Sequence, residues 1–212
     1  MTLEIPHLKT YNRHSAIEEL ALRLNLEPWH AITHTPWQKL YPKPEVSFAI
    51  AHGNDAVFLK YSVEEETLRS TYVQPNDPVY NDSCVEFFIG FEGEAAYYNF
   101  EFNCAGTCLA GFGEGKERQL LPADEILKIR HHSLVSKMTG ENLIHWELTL
   151  IIPLEVFIHH RLTALENRNG KGNLFKCGDG LPEPHYLSWT AIEAPEPNFH
   201  LSAFFGNLFF AP

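Results

Sequence analysis

The sequence predicts an all-β fold, a jelly-roll-like β-sandwich of two antiparallel sheets with a short N-terminal helix. Many short segments alternate apolar and polar residues, Gly and Pro turns separate them, and one stretch alone has helical spacing. The chain has 212 residues, of which 44% are hydrophobic. A chain of this length is typical of one β-sandwich with a single hydrophobic core. We therefore expect residues 1–212 to form a single domain, with residues 1–44 as an N-terminal extension.

The helix is predicted from Ala16 to Leu24. The S-A-I-E sequence that begins at Ser15 has the pattern of a capping box, and apolar residues follow it at helical spacing. A Pro-rich connector, Pro36 to Pro44, which contains Trp37 and Tyr41, then leads to the strands.

The strands follow one another along the rest of the chain. A His-Gly-Asn-Asp turn that begins at His52 joins the first two as a hairpin. Pro153 ends the longest strand and begins a short helical turn through Ile158. Residues 113–125 and 161–172 are predicted to be loops. The predicted strands are 46–51, 56–63, 68–73, 84–91, 97–103, 106–113, 126–135, 142–152, 173–176, 186–192 and 204–210.

The segment from Asn76 to Cys108 is expected to carry the function. It begins with turn-forming residues and continues as two aromatic-rich strands joined at Glu92-Gly93-Glu94, which predicts a β-hairpin. One face of its second strand is apolar and the other carries amides and carboxylates. The apolar face is formed by Tyr98, Phe100 and Phe102, and the polar face by Tyr97, Asn99, Glu101 and Asn103. A surface that mixes rings, amides and carboxylates suits a polar ligand with apolar faces, such as a sugar.

Composition and motifs exclude several classes of function. The formal net charge of −11 argues against nucleic-acid binding, which requires clustered Lys and Arg. The N-terminus lacks the apolar run of a signal peptide, and no segment has the length of a transmembrane helix. We therefore expect a soluble, cytoplasmic protein with no membrane partner. The sequence contains neither the G-x-S-x-G elbow of serine hydrolases nor the G-x-x-x-x-G-K-[ST] phosphate-binding loop, so both of these classes are excluded.

The four cysteines are expected to be free and mostly buried. Cys104 and Cys108 form C-x-x-x-C, which could belong to a metal site or a disulfide, but no second pair with zinc spacing follows. Cys84 and Cys177 stand apart from them. A buried thiol behaves as a small apolar group, so free thiols are the preferred interpretation. The histidine doublet that begins at His131 and the one that begins at His159 point to opposite faces of a strand and are interpreted as surface residues.

No cofactor is expected, although a structural calcium ion is an alternative. Asp77, Asp82 and Glu86 could supply oxygen ligands to calcium. The two aspartates also suit turns that need no ion, and we prefer that interpretation.

Two carboxylates and two rings are the candidate ligand-binding groups. Glu86 and Glu101 on neighbouring strands could form a glycosidase-like pair, but carboxylates on a strand face more often hydrogen-bond sugar hydroxyls. Tyr80 and Phe199 each lie in a loop containing Pro and Asn, where a ring can face solvent and stack on a sugar.

From residue 46 to residue 210 the sequence resembles the family 9 carbohydrate-binding modules. The resemblance rests on the aromatic-x-D-S-x-V-E segment from Tyr80 to Glu86, and on F-x-F-N at Phe100. Three further family motifs follow in the same order along the chain: Trp146-Glu147 through Ile152-Pro153, then Ser188-Trp189, and then Phe199 followed by F-G-x-L at Phe205. It implies a β-sandwich that holds a sugar between two aromatic rings, which ungapped placement puts at Tyr80 and Phe199.

The resemblance also implies that Glu86 contacts the sugar. The clamp of the characterised family members is a pair of tryptophans, whereas this chain has Tyr80 and Phe199, and Glu101 stands where the family has an arginine. Fold is expected to transfer better than ligand specificity.

We therefore predict a non-catalytic carbohydrate-binding protein whose oligomeric state the sequence leaves open. The alternatives are a small glycan-processing hydrolase that uses Glu86 and Glu101, and a sandwich that binds haem or a protein. The haem alternative is suggested by the related N-terminal-like domains of dopamine monooxygenase and by the 12 histidines. The predicted ligand-binding residues are Tyr80, Glu86, Asn99, Glu101 and Phe199, with Trp189 and Arg69 as rim candidates.

Overall fold

The computed structural model describes residues 2–37, 44–91, 93–137 and 143–212. Within these ranges the chain forms two β-sheets and two short α-helices, which confirms the predicted all-β sandwich. The elements are β1 (Thr2–Ile5), α1 (Ile17–Leu24), β2 (His30–Ala31), β3 (Glu45–His52), β4 (Ala56–Glu65), β5 (Cys84–Phe91), β6 (Tyr97–Asn103), β7 (Cys108–Glu114), β8 (Glu117–Leu120), α2 (Ala123–Ile126), β9 (Arg130–Lys137), β10 (Ile144–Pro153), β11 (Asn169–Cys177), β12 (Tyr186–Ser188) and β13 (Gly206–Phe210).

The two sheets differ in their outer faces: one carries a cleft and is called the cleft sheet, and helix α1 covers the other, which is called the helix sheet. The cleft sheet has the strand order β1-β13-β11-β5-β6-β7-β8, with β12 paired to β11, and the helix sheet has the order β2-β3-β4-β10-β9. Among the described pairings between strands, all are antiparallel except that of β1 with β13, in which Thr2 lies opposite Asn207 and Ile5 opposite Phe210. The predicted antiparallel sheets therefore contain one parallel pair, and its strand β1 was not predicted from the sequence.

The main core lies between the two sheets. Period-two alternation along each strand sends one set of side chains inward, so that the inward residues of the two sheets meet. On the cleft sheet this set includes the hairpin residues whose direction decides the site, namely Val85, Phe87, Ile89, Phe100 and Phe102. Their neighbours along β5 and β6 consequently face outward, toward the cleft described below.

Helix α1 covers the outer face of the helix sheet. Leu20 and Leu24 pack with Phe58 of β4, as the predicted helical spacing requires. The predicted capping box is wrong, because Ala16 precedes the first helical residue and no side chain caps the helix. The hydroxyl oxygen of Ser15 instead accepts a hydrogen bond from the backbone N–H of Asn12 at 2.9 Å. In the described part of the chain, neither α-helix has the length and apolar character that crossing a membrane demands.

The strand predicted over residues 68–73 is wrong, because its backbone donors bond to a side chain instead of a neighbouring strand. The N–H groups of Thr71 and Tyr72 donate to Oδ2 of Asp82, at 2.8 and 3.0 Å. Residues 113–125, predicted to be a loop, contain β8 and the first three residues of α2, and β8 pairs with β7. Tyr41, Glu92 and Asn142 lie outside the described residues.

Several predicted strands begin or end at other residues in the structure. The strand predicted over residues 173–176 begins at Asn169, because the polar residues before it pair with β13 on one side and β5 on the other. The predicted strand 126–135 is the observed Arg130–Lys137, and the predicted strand 186–192 ends at Ser188. A 3-10 turn, Ser202–Phe204, replaces the beginning of the last predicted strand.

A buried ion pair joins the two sheets. Nζ of Lys176, on β11, lies 2.9 Å from a carboxylate oxygen of Glu65, on β4, and both side chains are almost fully buried. The indole N–H of Trp146 donates to the other oxygen of Glu65 at 2.7 Å. Lys176 also donates to Nε2 of His185 at 2.7 Å and to the carbonyl of Cys177 at 2.9 Å. The ammonium group thus makes one ion pair and two hydrogen bonds.

We expect the protein to lose stability between about pH 6.5 and pH 4 because of His185. Burial, followed by the positive charge of Lys176, lowers the pKa of His185 to about 4, although the nearby Glu65 opposes this shift. The folded protein therefore favours the neutral imidazole, which stabilises it above the unfolded pKa of ~6.5. As pH falls through this window, the unfolded chain takes up the proton first. The loss reaches about 3 kcal/mol for a gap of this size.

The measurement is urea unfolding of the wild type and of His185→Gln at pH 7, 5.5 and 4.5. The glutamine oxygen can still accept the hydrogen bond from Lys176 but does not titrate in this range. The wild type should lose more stability than the variant as pH falls. Parallel losses in the two proteins would show that His185 does not contribute.

Candidate functional site

A cleft of about 490 Å³ lies on the outer face of the cleft sheet. Its floor is formed by outward-facing residues of β5, β6 and β11, and its walls by the loop before β5 and the loop between β12 and β13. It is lined by Trp37, Tyr80, Glu86, Glu101, Lys116, Cys177, Asp179, Tyr186, Pro197, Asn198, Phe199 and His200. Four of the seven residues predicted to bind a ligand are thus brought together, namely Tyr80, Glu86, Glu101 and Phe199.

One wall of the cleft is a cluster of aromatic rings. Phe199 stacks on Phe175 with ring centroids 4.1 Å apart and an interplanar angle of 15°. Trp37 and Tyr186 contact the same ring, with centroids 5.6 and 6.1 Å away. The indole N–H of Trp37 donates to the carbonyl of Ala194 at 2.9 Å, which fixes this ring to the loop. The orientation of Phe199 is therefore set by packing, and only 9% of the residue is exposed.

Tyr80 belongs to another wall. It lies in the 3-10 turn Val79–Asn81, and 39% of it is exposed. Its carbonyl accepts a hydrogen bond from the N–H of Asp179 at 2.9 Å, so this turn is tied to the end of β11. Tyr80 thus offers an accessible ring, whereas Phe199 offers a ring held firmly from behind.

The floor of the cleft carries two buried carboxyl groups. Glu86 of β5 and Glu101 of β6 lie directly opposite each other in the register, and they are 4% and 6% exposed. The thiol of Cys177 donates to Glu86 at 3.1 Å, and the side-chain amide of Asn99 donates to Glu101 at 2.9 Å. Asn99 is two residues from Glu101 on β6 and points to the same face, but it is buried and does not line the cleft, so it positions Glu101 from the side.

Both carboxyl groups resist ionisation. Burial raises the pKa of Glu86 well above its usual range, and the neighbouring Cys177 and Glu101 raise it further. Burial raises the pKa of Glu101 to about 7, although the hydrogen bond from Asn99 and the charge of Arg118 oppose this shift. The floor therefore carries less negative charge at neutral pH than two ordinary carboxylates would.

A guanidinium group supports the floor from the side. Nε and Nη2 of Arg118 donate to Oδ1 of Asn99 at 2.9 and 2.7 Å, and its guanidinium lies 4.3 Å from the centroid of the Tyr97 ring. A Cβ at Gly111 would lie 2.9 Å from Oδ1 of Asn99, so glycine leaves room for this contact. The family resemblance places Glu101 where an arginine is expected. The structure brings a guanidinium to the same neighbourhood from β8 instead.

Two candidates for the rim do not line the cleft. Trp189 is 4% exposed and packs edge-on against Phe48 with ring centroids 6.0 Å apart, so it belongs to the core between the sheets. The prediction that Trp189 lies at the rim of the binding site is therefore wrong. Arg69 donates to the carbonyl of Gly180 at 2.6 Å, and its Nε lies 3.3 Å from a carboxylate oxygen of Asp82. It supports the backbone behind the cleft wall.

The two aspartates considered as calcium ligands hold turns together. Oδ2 of Asp77 accepts from the N–H groups of Val73 and Gln74 at 3.1 and 2.9 Å. Asp82 receives the two backbone donors described above and the side-chain amide of Asn103 at 3.0 Å. This is the turn-forming role that the sequence favoured, and calcium binding at these positions stays an untested alternative.

Several residues at the cleft were not found from the sequence. Trp37 lines the cleft although it belongs to the Pro-rich connector, far from the hairpin in the sequence. Arg118, which holds Asn99 beside the floor, lies in residues predicted to be a loop. Asp179 and Tyr186, which are joined by a hydrogen bond, line the cleft from either side of a turn. The C-G-D-G sequence that ends at Gly180 was the available signal for a turn carrying an acidic residue.

All four cysteines are free and buried, as predicted. Cys84 and Cys177 lie directly opposite each other across β5 and β11. Cys177 reaches the cleft, and Cys104 and Cys108 pack in the core between the sheets.

Comparison with known proteins finds the same architecture in solved structures. A putative carbohydrate-binding protein from Bacteroides uniformis ATCC 8492 is 34% identical, with a TM-score of 0.89 over 99% of this chain and 98% of that one. A family 9 carbohydrate-binding module from Caldicellulosiruptor kristjanssonii, solved in complex with glucose, is 10% identical, with a TM-score of 0.62 over 99% of this chain and 95% of that one. Its complex with cellotriose has a TM-score of 0.59, 10% identity and coverage of 100% and 94%.

These two Caldicellulosiruptor structures support the fold, while the Bacteroides protein is similar enough to support common family membership. No curated protein matches the sequence significantly. The model of carbohydrate-binding family 9 matches residues 16–210, which is most of the chain. The chain belongs to carbohydrate-binding family 9.

Proposed function

We propose that the chain binds a carbohydrate, without cleaving it, in the cleft between Tyr80 and Phe199. The observation that carries the proposal is that aromatic rings and the carboxyl groups of Glu86 and Glu101 line the same cleft. A sugar ring has apolar C–H faces and a rim of hydroxyl groups. Flat rings can cover the faces, and converging polar groups can bond the hydroxyls. Family membership supports the same function.

Neutral, glucose-based sugars are the first ligands to test. Glucose and cellotriose are the sugars bound by the related Caldicellulosiruptor module, although that module is only 10% identical to this chain. The lining of the cleft adds Asp179 and Lys116 to the floor carboxyl groups, which gives both donors and acceptors for hydroxyl groups.

The arrangement of the two glutamates favours binding over hydrolysis. Residues directly opposite on neighbouring strands have Cβ atoms about 4.5–5.5 Å apart and point to the same face. Glu86 and Glu101 therefore rise side by side from the floor. Glycoside hydrolysis instead needs two carboxyl groups that flank the scissile bond. We expect no turnover of an aryl-glycoside panel, and turnover that disappears in Glu86→Gln would favour the hydrolase.

Tyr80→Ala is expected to weaken sugar binding about tenfold, which corresponds to about 1.4 kcal/mol. Tyr80 is partly exposed and supplies an accessible ring, so its removal should cost contact area without disturbing the core. A glycan array identifies the ligands of the wild type, and isothermal titration calorimetry with glucose and cellotriose gives the affinities.

The control is Leu22→Ala, since Leu22 is 69% exposed on α1, which covers the other sheet. It should bind like the wild type. Equal affinity in Tyr80→Ala and the wild type would refute the assigned cleft, and a wild type that binds no glycan would refute the function.

A further inference from the structure

Three metal-ligating side chains meet at the floor of the cleft. Cys84 of β5 lies directly opposite Cys177 of β11. Glu86 is two residues further along β5, and residues two apart on a strand point to the same face. The register therefore brings two sulfur atoms and one carboxylate oxygen together from adjacent strands. All three residues are buried.

The spacing of these atoms is close to that of a tetrahedral metal site. The two Sγ atoms and one oxygen of Glu86 all lie within 4.8 Å of one another. Sγ of Cys177 is already 3.1 Å from Oε1 of Glu86. Zinc–sulfur bonds of ~2.3 Å in tetrahedral geometry place two sulfur ligands about 3.8 Å apart. Side-chain shifts of about 1 Å or less would therefore bring the three atoms to bonding distance.

We propose that Cys84, Glu86 and Cys177 bind a thiophilic divalent cation such as Zn²⁺. Cys177 and Glu86 line the cleft, so the cation would enter from it and keep its fourth position open toward it. Zinc sites with three protein ligands characteristically leave that position to water or to a bound molecule. A sugar hydroxyl in the cleft could occupy it.

The ligand set selects the class of metal. Thiolate ligands favour Zn²⁺ and similar soft cations, whereas Ca²⁺ and Mg²⁺ prefer oxygen ligands alone. Each thiol and the carboxyl group release their protons to solvent as the cation binds, because the deprotonated forms are the ligands. Cys104 and Cys108, which pack in the core between the sheets, do not belong to this group.

The experiment titrates cobalt(II) into the full chain after reduction and treatment with a chelator, with no sugar present. Cobalt replaces zinc in tetrahedral sites, and its bond to a thiolate gives a charge-transfer absorption. We expect one cobalt per chain, and the absorption should disappear when one equivalent of Zn²⁺ is added. Cys84→Ala/Cys177→Ala should weaken binding at least tenfold.

The matched control is Cys104→Ala/Cys108→Ala, which also removes two buried thiols and should bind cobalt like the wild type. Cys177→Ser is a milder second variant, because the serine hydroxyl can keep the hydrogen bond to Glu86, and it should also weaken binding. Circular dichroism shows whether each variant is folded.

No absorption in the wild type, or an unchanged absorption in Cys84→Ala/Cys177→Ala or Cys177→Ser, would overturn the proposal. Because the titration contains no sugar, its outcome is separate from that of the carbohydrate-binding experiment.

Discussion

Lys176→Met is expected to lower the free energy of unfolding by about 3–5 kcal/mol, the usual cost of removing one partner from a buried ion pair. The side chains of Lys176 and Glu65 are 0% and 2% exposed. In the variant, the carboxylate of Glu65 would lose its ion pair with Lys176 and keep the hydrogen bond from the indole N–H of Trp146, and Nε2 of His185 would lose its donor. For a chain of this length, the midpoint of thermal unfolding should fall by roughly 6–20 °C. Calorimetry at pH 7 measures this change.

Lys128→Met is the matched control for this prediction. Lys128 pairs with Glu125 at 2.8 Å but lies at the surface, so the same chemical change should leave the midpoint nearly unchanged. The double variant Glu65→Leu/Lys176→Met should be more stable than Lys176→Met alone, because it leaves no unpaired buried charge. A midpoint in Lys176→Met equal to that of the control would contradict the assigned role of the pair.

Removing both rings of the cleft is expected to lower sugar affinity by about 100-fold to 1000-fold, or about 3–4 kcal/mol. The variant is Tyr80→Ala/Phe199→Leu. Leucine keeps apolar contact with Phe175, so the wall stays filled, but it removes the flat surface on which a sugar would stack. Calorimetric titration with the best ligand of the wild type measures the loss.

Tyr11→Ala/Phe209→Leu makes the same two chemical changes outside the residues that line the cleft. It should bind the sugar like the wild type, provided that circular dichroism shows both variants folded. Comparison with each single variant also tests whether the two rings act on one sugar. If the ring variant retained affinity within about threefold of the wild type, stacking between Tyr80 and Phe199 would be refuted.

Local patterns predicted both strands of the central hairpin, because the first is an apolar and aromatic run, the second alternates, and turn residues bound them. The predicted strands 84–91 and 97–103 are the observed β5 and β6. Pattern reasoning failed where long-range pairing decides the structure. Residues 117–119 are charged or polar, yet with Leu120 they form β8 because β7 offers them a partner. Residues 68–73 were predicted to form a strand, yet the carboxylate of Asp82 accepts hydrogen bonds from the N–H groups of Thr71 and Tyr72.

At the candidate site, too, local motifs predicted some residues, whereas long-range packing placed the others. Tyr80, Glu86 and Phe199 were found because sequence motifs mark their positions in the family. Trp37 reaches the cleft, and Arg118 reaches Asn99 beside its floor, only through the packing of distant loops and strands, which no local pattern encodes. Trp189 shows the opposite error, since its motif is present but the residue, which follows β12, places its ring in the core.

The parallel pair of β1 and β13 has a consequence for the order of folding. Strand β13 lies between β1 and β11, so β1 has no partner until β13 has formed. Leu3 and Leu208, which face each other in this pair, are separated by almost the whole chain. Closing so long a loop costs entropy, and contacts of this kind slow folding. During synthesis, β1 would therefore leave the ribosome long before its partner β13, and its apolar residues would stay exposed until β13 joins the sheet.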